Sequence, residues 1–317
     1  MTVAARPIEI GLTAAIVAVS GGQPLILVAG SDGLPFGPFD PLKHRTFEAG
    51  LRAWVAEQTG LKLGYAEQLY TFGDRGRHSA PGDVGPHLVS VGYLALARIE
   101  TQPSEALARA GAAWRRWYEF FPWEDWRGGR PQMLDEALLP ALASWARGNE
   151  EKTDGKPLAR RERVRLAFGT DGAPWDEERA LDRYELLYEA GIVAEAARDG
   201  RAGSVRITVG IAMRFDHRRI LATAISRLRA KLKYRPVVFE LMAEEFTLTE
   251  LQKTVEAISG RHLHKQNFRR LVEAAELVEP TGVTAQSGRG RPAALFRFRR
   301  DILKERPALG FRLGGRG

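Results

Sequence analysis

The residues with the most pointed chemistry lie between His264 and Arg291. His264, Lys265, Gln266, Asn267, Arg269 and Arg270 set imidazole, ammonium, carboxamide and guanidinium groups side by side, with Phe268 the one apolar side chain among them. Cationic groups contact phosphates, and a carboxamide matches the donor and acceptor edge of adenine. Further on, Gly-Arg-Gly-Arg-Pro places Arg289 and Arg291 in a glycine-rich segment that can bring charge close to a sugar-phosphate backbone or a minor groove. A second set stands near the amino end. Glu48 and Glu57 are carboxylates of one predicted helix, and Arg75 and Arg77 follow a predicted strand and can hold a pyrophosphate. His78 and His87 flank a Pro/Gly-rich loop; without a third ligand close by they read as exposed loop residues, with a metal pair as the alternative.

The elements that must position the first set are legible. Thr247-Leu248-Thr249-Glu250 has the spacing of a capping box and starts a helix. Leu248, Leu251, Val255 and Ile258 make its apolar stripe, and Gly260 stops it. In a second helix Phe268, Leu271, Val272 and Ala275 face inward, which turns the polar set outward. Leu277-Val278 and Leu295 to Phe298 read as short strands joined by the loop Thr281 to Arg291. Pro236 suits a first helical position, with Val238, Phe239, Leu241 and Met242 as the apolar face behind it. Helix, turn, cationic helix and basic hairpin is the layout of a winged helix-turn-helix that grips double-stranded DNA. The bland alternative is a helix solvated by ordinary charges, and a third reading, RNA binding, lacks an aromatic platform on this segment.

Charge separates these readings. The chain of 317 residues carries 47 basic and 39 acidic side chains, a net of +8. Up to Gly260 the two signs balance at 34 each; from Arg261 onward there are 13 basic and 5 acidic residues. The whole excess therefore sits in the recognition helix, wing and tail, as a polyanion-binding surface requires. The length predicts two domains or three, and an apolar fraction of 44% supports a sizeable core. No apolar run is long enough for a membrane span and no secretion signal is visible, so a cytoplasmic protein is expected. The absence of cysteine removes disulfides and thiolate metal sites.

At the amino end Ile8 to Val19 and Pro24 to Val28 read as a hairpin turning at Gly21-Gly22. Leu34 to Phe39 reads as a loop, and Thr46 to Gln58 as a helix capped by Thr46 and stopped by Gly60. Its inward residues are Phe47, Leu51, Trp54 and Val55. This segment resembles the Nudix fold: Leu34-Pro35-Phe36-Gly37 is similar to the start of the Nudix signature, and Leu51 to Leu61 to its end, with about two extra residues between them. The departures are chemical. Where the family carries metal-binding carboxylates this chain has Ala53, Trp54, Glu57 and Gln58, so one vestigial acid, Glu57, remains where a divalent ion wants several oxygens. The resemblance thus implies a Nudix scaffold without metal-dependent hydrolysis, no catalytic residue and no metal; the alternative is a Mg²⁺-dependent hydrolase of nucleoside diphosphate derivatives with substitute ligands.

Glu67-Gln68-Leu69-Tyr70-Thr71-Phe72-Gly73-Asp74, the strand Val89 to Leu96, the Phe246 segment and Gly290-Arg291-Pro292-Ala293 together resemble the Nudix-related transcriptional regulators called NrtR, in that family's order. The resemblance implies an α+β chain, a Nudix-like mixed-sheet α/β/α sandwich followed by a winged helix-turn-helix. It implies a homodimeric repressor, often of NAD-metabolism genes, that senses a nucleotide such as ADP-ribose without any other cofactor. Arg75, Arg77 and Glu57 are the expected effector contacts. The expected division is 1–233 for sensing and 234–317 for DNA, with a helical insertion at about 103–210. In that insertion Ser104 to Arg147 reads as helical and holds five of the seven tryptophans. A packed core or dimer interface is the reading taken, and a stacking platform for a base the alternative. A helix from Asp216 to Lys233 then carries Arg218, Arg219, Arg227, Arg229, Lys231 and Lys233, with Ile220, Ala224, Ile225 and Leu228 inward.

Overall fold

The structure is a computed structural model that describes residues 7–74, 85–99, 104–147, 158–201, 209–285 and 292–301. Strands β1 (Ile8–Ser20) and β2 (Gln23–Ala29) form the expected hairpin. Gly21 and Gly22 both have positive φ, 57° and 71°, as a two-residue hairpin turn with the twist of its strands demands. Helix α1 (Phe47–Thr59) follows, then β4 (Ala66–Phe72) and β5 (His87–Leu96). β5 runs parallel to β1 over its whole length, while β4 and β2 pair antiparallel, so the sheet is mixed.

Two expected non-strands belong to this sheet. Phe36–Pro38, inside the expected loop, is strand β3 and pairs with Gly11 to Thr13 of β1. After a short helix α2 (Ser104–Arg109), Ala112–Arg116 is strand β6 and closes the order β4-β5-β1-β2-β6. Helical spacing of apolar residues had spoken for a helix at the latter place. The free edge of β2 decides otherwise, because pairing with a neighbour outweighs weak local preference.

Alternation along β1 builds two layers. Leu12, Ala14 and Ile16 pack with Leu51 and Val55 of α1. Ala15 and Val17 face the other way, toward Ile220, Leu221, Ala224, Ile225 and Leu228 of helix α7 (His217–Tyr234). Between β6 and α7 lie short 3₁₀ and π turns and helices α3 (Leu139–Arg147), α4 (Arg160–Phe168), α5 (Ala180–Glu189) and α6 (Ala194–Arg198). Trp117, Phe120, Phe121 and Trp123 are fully buried there, so those aromatic side chains form core, with none of them offered to a base.

The carboxyl-terminal portion opens on a 3₁₀ turn (Val237–Leu241) with Pro236 as its N-cap. Strand β7 (Glu245–Thr247), helices α8 (Leu248–Ser259) and α9 (Lys265–Ala275), and strands β8 (Val278–Ala285) and β9 (Ala293–Phe298) follow, with sheet order β7-β9-β8. The expected loop from Thr281 is strand as far as Ala285, and β7 is a third strand too short to show a period of its own. No helix among the described residues is long and apolar enough to cross a membrane.

Candidate nucleic-acid interface

The capping box forms in full. The Thr247 side chain accepts from Glu250 N at 3.2 Å, and the Glu250 carboxylate accepts from Thr247 N at 2.7 Å. Leu251, Val255 and Ile258 are completely buried, and Gly260 ends α8 at φ 74°. The turn to the next helix is fastened by two side chains of α8. Gln252 Nε2 donates to Leu263 O at 2.8 Å, and Glu256 Oε1 accepts from Leu263 N at 2.8 Å. His262 Nδ1 lies 3.2 Å from the same Glu256 oxygen.

Helix α9 then shows what the sequence spacing implied. Phe268 and Val272 are buried, while His264 at the N-cap and Lys265, Gln266, Asn267, Arg269 and Arg270 are all exposed on one face. Arg270 Nη2 donates to Asn267 Oδ1 at 2.5 Å. The Asn267 oxygen has a second lone pair, so the side chain can keep that bond and still offer both its groups to adenine. Arg289 and Arg291 fall outside the described residues. The wing strands that lead to them are present, joined by the Arg297–Glu279 pair at 2.6 Å.

The face of α1 where a Nudix enzyme would carry carboxylates does different work here. Trp54 Nε1 donates to Pro38 O at 2.7 Å. Gln58 makes two bonds to one residue of β3, donating to Phe36 O at 2.5 Å and accepting from Phe36 N at 3.2 Å. Gly37, between them, lies so close to the Trp54 indole that a Cβ there would collide with the ring. Arg52 is committed to Glu48 at 2.8 Å and to the carbonyls of Leu63 and Gly64. Glu57 is exposed beside this arrangement. Among the described residues no three acidic, histidine or cysteine side chains converge as a metal site. Replacing Gln58 by alanine removes both bonds to Phe36. At about 1 kcal/mol each, the expected cost is roughly 2 kcal/mol in a denaturant melt, with the amide of Phe36 losing protection from hydrogen exchange.

Around the other end of that loop the chain is tied to the start of α7 and to the residues just before it. Arg214 Nε donates to Asp32 Oδ1 at 2.7 Å, Leu34 N donates to His217 Nδ1 at 2.9 Å, and the Phe36 ring meets Phe215 and His217 edge-on. Arg219 pairs with Asp74, Glu185 and Asp216, at the point where the chain enters the segment holding Arg75, Arg77 and His78. Those three residues lie outside the described residues. His87, the first residue of β5, sits 2.9 Å from Gly73 O through Nε2.

Two of the arginines carried by the helix that begins near Asp216 are core residues. Arg218 and Arg229 of α7 are buried. Arg218 pairs with Glu195 at 3.1 Å and donates to Phe120 O and Val209 O. Arg229 shares the carboxylate of Glu124 with Arg183, at 2.5 and 2.6 Å, all three side chains being at most 1% exposed. Burial pushes the Glu124 carboxyl up, but the two guanidiniums outweigh it and hold the group ionised, below the ordinary glutamate value. The signal that could have found this pair is spacing. Arg218 and Arg229 are eleven positions apart, on the helix face that also carries Leu221, Ala222 and Ile225.

Comparison with known proteins agrees with this geometry. Residues 238–298 match the family described as NrtR DNA-binding winged helix domain. The chain is 43% identical over 84 residues to the ADPR responsive transcriptional repressor NtrR of Acinetobacter baylyi; the match spans 26% of this chain and only about a third (33%) of that relative's length. The fold is that of NrtR from Shewanella oneidensis, solved in complex with a 27mer DNA. That structure has TM-score 0.54 and 22% identity, and the match covers 93% of this chain and 95% of that one. A MutT/nudix family protein from Enterococcus faecalis has TM-score 0.51 at 14% identity, over 94% and 89% of the two chains.

Proposed function

We propose that this chain, whose segment 238–298 is an NrtR-type winged helix, is a homodimeric, cytoplasmic transcriptional repressor. In this reading residues 234–317 hold an operator in double-stranded DNA, and residues 1–233 sense a nucleotide such as ADP-ribose. The observation that carries it is the exposed face of α9: six polar or cationic side chains from His264 to Arg270, held outward by the buried Phe268 and Val272. Lys265, Arg269 and Arg270, with Arg289 and Arg291 of the wing, serve as phosphate contacts; Gln266 and Asn267 read bases, and His264 touches a phosphate near the helix start. Arg75, Arg77 and Glu57 are the proposed effector contacts. The solved complex with DNA and the name of the Acinetobacter relative support the reading.

The effector can change DNA affinity only by preferring one arrangement of the dimer. Leu34 is tied to His217, the first residue of α7, and Asp32 to Arg214 just before it, which favours this helix as the route from the sensing portion to the DNA-binding portion. A gel shift on the DNA upstream of the protein's own coding sequence, titrated with ADP-ribose, tests the whole reading; the expected result is a retarded band that the nucleotide releases. A complex unmoved by saturating ADP-ribose rejects that effector.

No hydrolase role is proposed, because Trp54 and Gln58 spend their polar groups on β3. Incubation of the protein with ADP-ribose and Mg²⁺ is expected to leave the nucleotide intact. Turnover that disappears in Glu57→Gln would establish the alternative, a Mg²⁺-dependent hydrolase.

A further inference from the structure

The last carbonyls of any helix have no partners inside it and need them from elsewhere. At the end of α8 two of these, and the carbonyl of the capping Gly260 just beyond, are taken by residues outside the winged helix. Tyr118 Oη donates to Ala257 O at 2.8 Å, Arg229 Nε to Ile258 O at 2.9 Å, and Trp126 N to Gly260 O at 2.7 Å. Gly260 is packed closely against this segment, since a Cβ on it would strike the Glu124 carbonyl. Arg229 is in turn locked by Glu124, and its charge suits the negative end of the α8 dipole.

We propose that Glu124 is a positioning residue for DNA recognition: through Arg229 it fixes the end of α8, and hence the pitch of α9, against the helical module. The inference rests on the DNA-binding reading above. It adds that the winged helix does not swing on its own linker. The direction of α9 is set by Tyr118, Trp126 and the Glu124–Arg229 pair, so that in a two-fold assembly the body of the protein dictates the distance between half-sites.

Glu124→Gln alone strands two buried cations, so the test uses Glu124→Gln combined with Arg229→Met. Two cations on one anion leave the native site with one net positive charge, and the double variant keeps that charge on Arg183. Neither residue belongs to the exposed face of α9. Tyr118→Phe serves as a milder second variant. Each full-length protein is used to select duplexes from a random-sequence library, and the selected half-sites and their separation are read by sequencing. The native protein is expected to select one separation. The variants are expected to select the same half-site letters at several neighbouring separations. Variants that select the native separation alone, with native circular dichroism, overturn the proposal; so do altered half-site letters, which would mean a change in base reading. If the native protein selects no duplex, the DNA-binding reading fails, and hydrogen exchange decides the clamp by itself. The amides of Trp126 and Gly260 should then exchange at least about tenfold faster in the double variant than in the native chain, and equal rates reject the clamp.

Discussion

Replacing Arg269 and Arg270 together by alanine is expected to weaken binding to every duplex, whatever its sequence, by about 60-fold near 0.1 M salt. The size follows from counterion release. Each phosphate contact contributes about 0.9 to the slope of log affinity against log salt, so two lost contacts lower the slope by roughly 1.8, which at 0.1 M amounts to that factor. Both side chains are exposed on α9 and neither supports the core, so the melting curve should hold its place. Titrations at several salt concentrations, with a specific and an unrelated duplex, give both the slope and the loss. Unchanged binding would remove α9 from the interface. A loss confined to one base pair of the specific duplex would move Arg270 from phosphate contact to base reading, a role its bond to Asn267 could stiffen.

The second large effect lies in the interior. Glu124→Leu leaves Arg183 and Arg229 buried without a counter-charge, and removal of one partner from such a group costs about 3–5 kcal/mol. For a chain of this length that is about 5–8 °C in melting temperature. Replacing all three together with leucine at 124 and methionine at 183 and 229 should recover only part of the loss: the apolar set avoids the desolvation of charge, but the carbonyls of Ala167, Asp176, Glu177 and Ile258 lose their arginine donors. The sign with pH is fixed by the direction of the shift. Glu124 is held below the ordinary glutamate value in the folded chain, so its contribution is complete above the unfolded value, near 4.3, and is lost as pH falls through the folded one. The gap in stability between native protein and Glu124→Gln should therefore be widest at neutral pH and shrink on acidification. A gap that is flat with pH would show that the carboxylate is not what holds the arginines.

How much of this was legible depended on whether a residue acts locally. Thr247, Glu250, Gly260 and Phe268 announced α8 and α9, because capping, a left-handed stop and a 3.6-residue stripe are properties of neighbouring positions. The exposure of the six polar residues followed from Phe268 and Val272 facing inward. The same reasoning found the hairpin at Gly21-Gly22 and the capped helix α1. It missed β3 and β6, whose strand character comes from partners far along the chain, Gly11 to Thr13 and Leu25 to Ala29. It also missed Glu124, Arg183 and Arg229, since a charged residue looks solvated until its counter-charge is located, and Glu124 is 105 positions from Arg229. The substitutions at Trp54 and Gln58 were visible as losses of carboxylate; their gain, the hold on Phe36 and Pro38, was not.

That hold bears on how such a chain could change in the future. Suppose acids stood at positions 54 and 58. A carboxylate at 58 would still take the amide of Phe36 but would repel its carbonyl, and one at 54 would abandon Pro38 and open a gap beside Gly37. The residues needed to coordinate an ion are those that now stitch the neighbouring strand in place. Carboxylates placed at these two positions would therefore loosen the strand they face, so adding metal ligands to this helix is expected to lower stability.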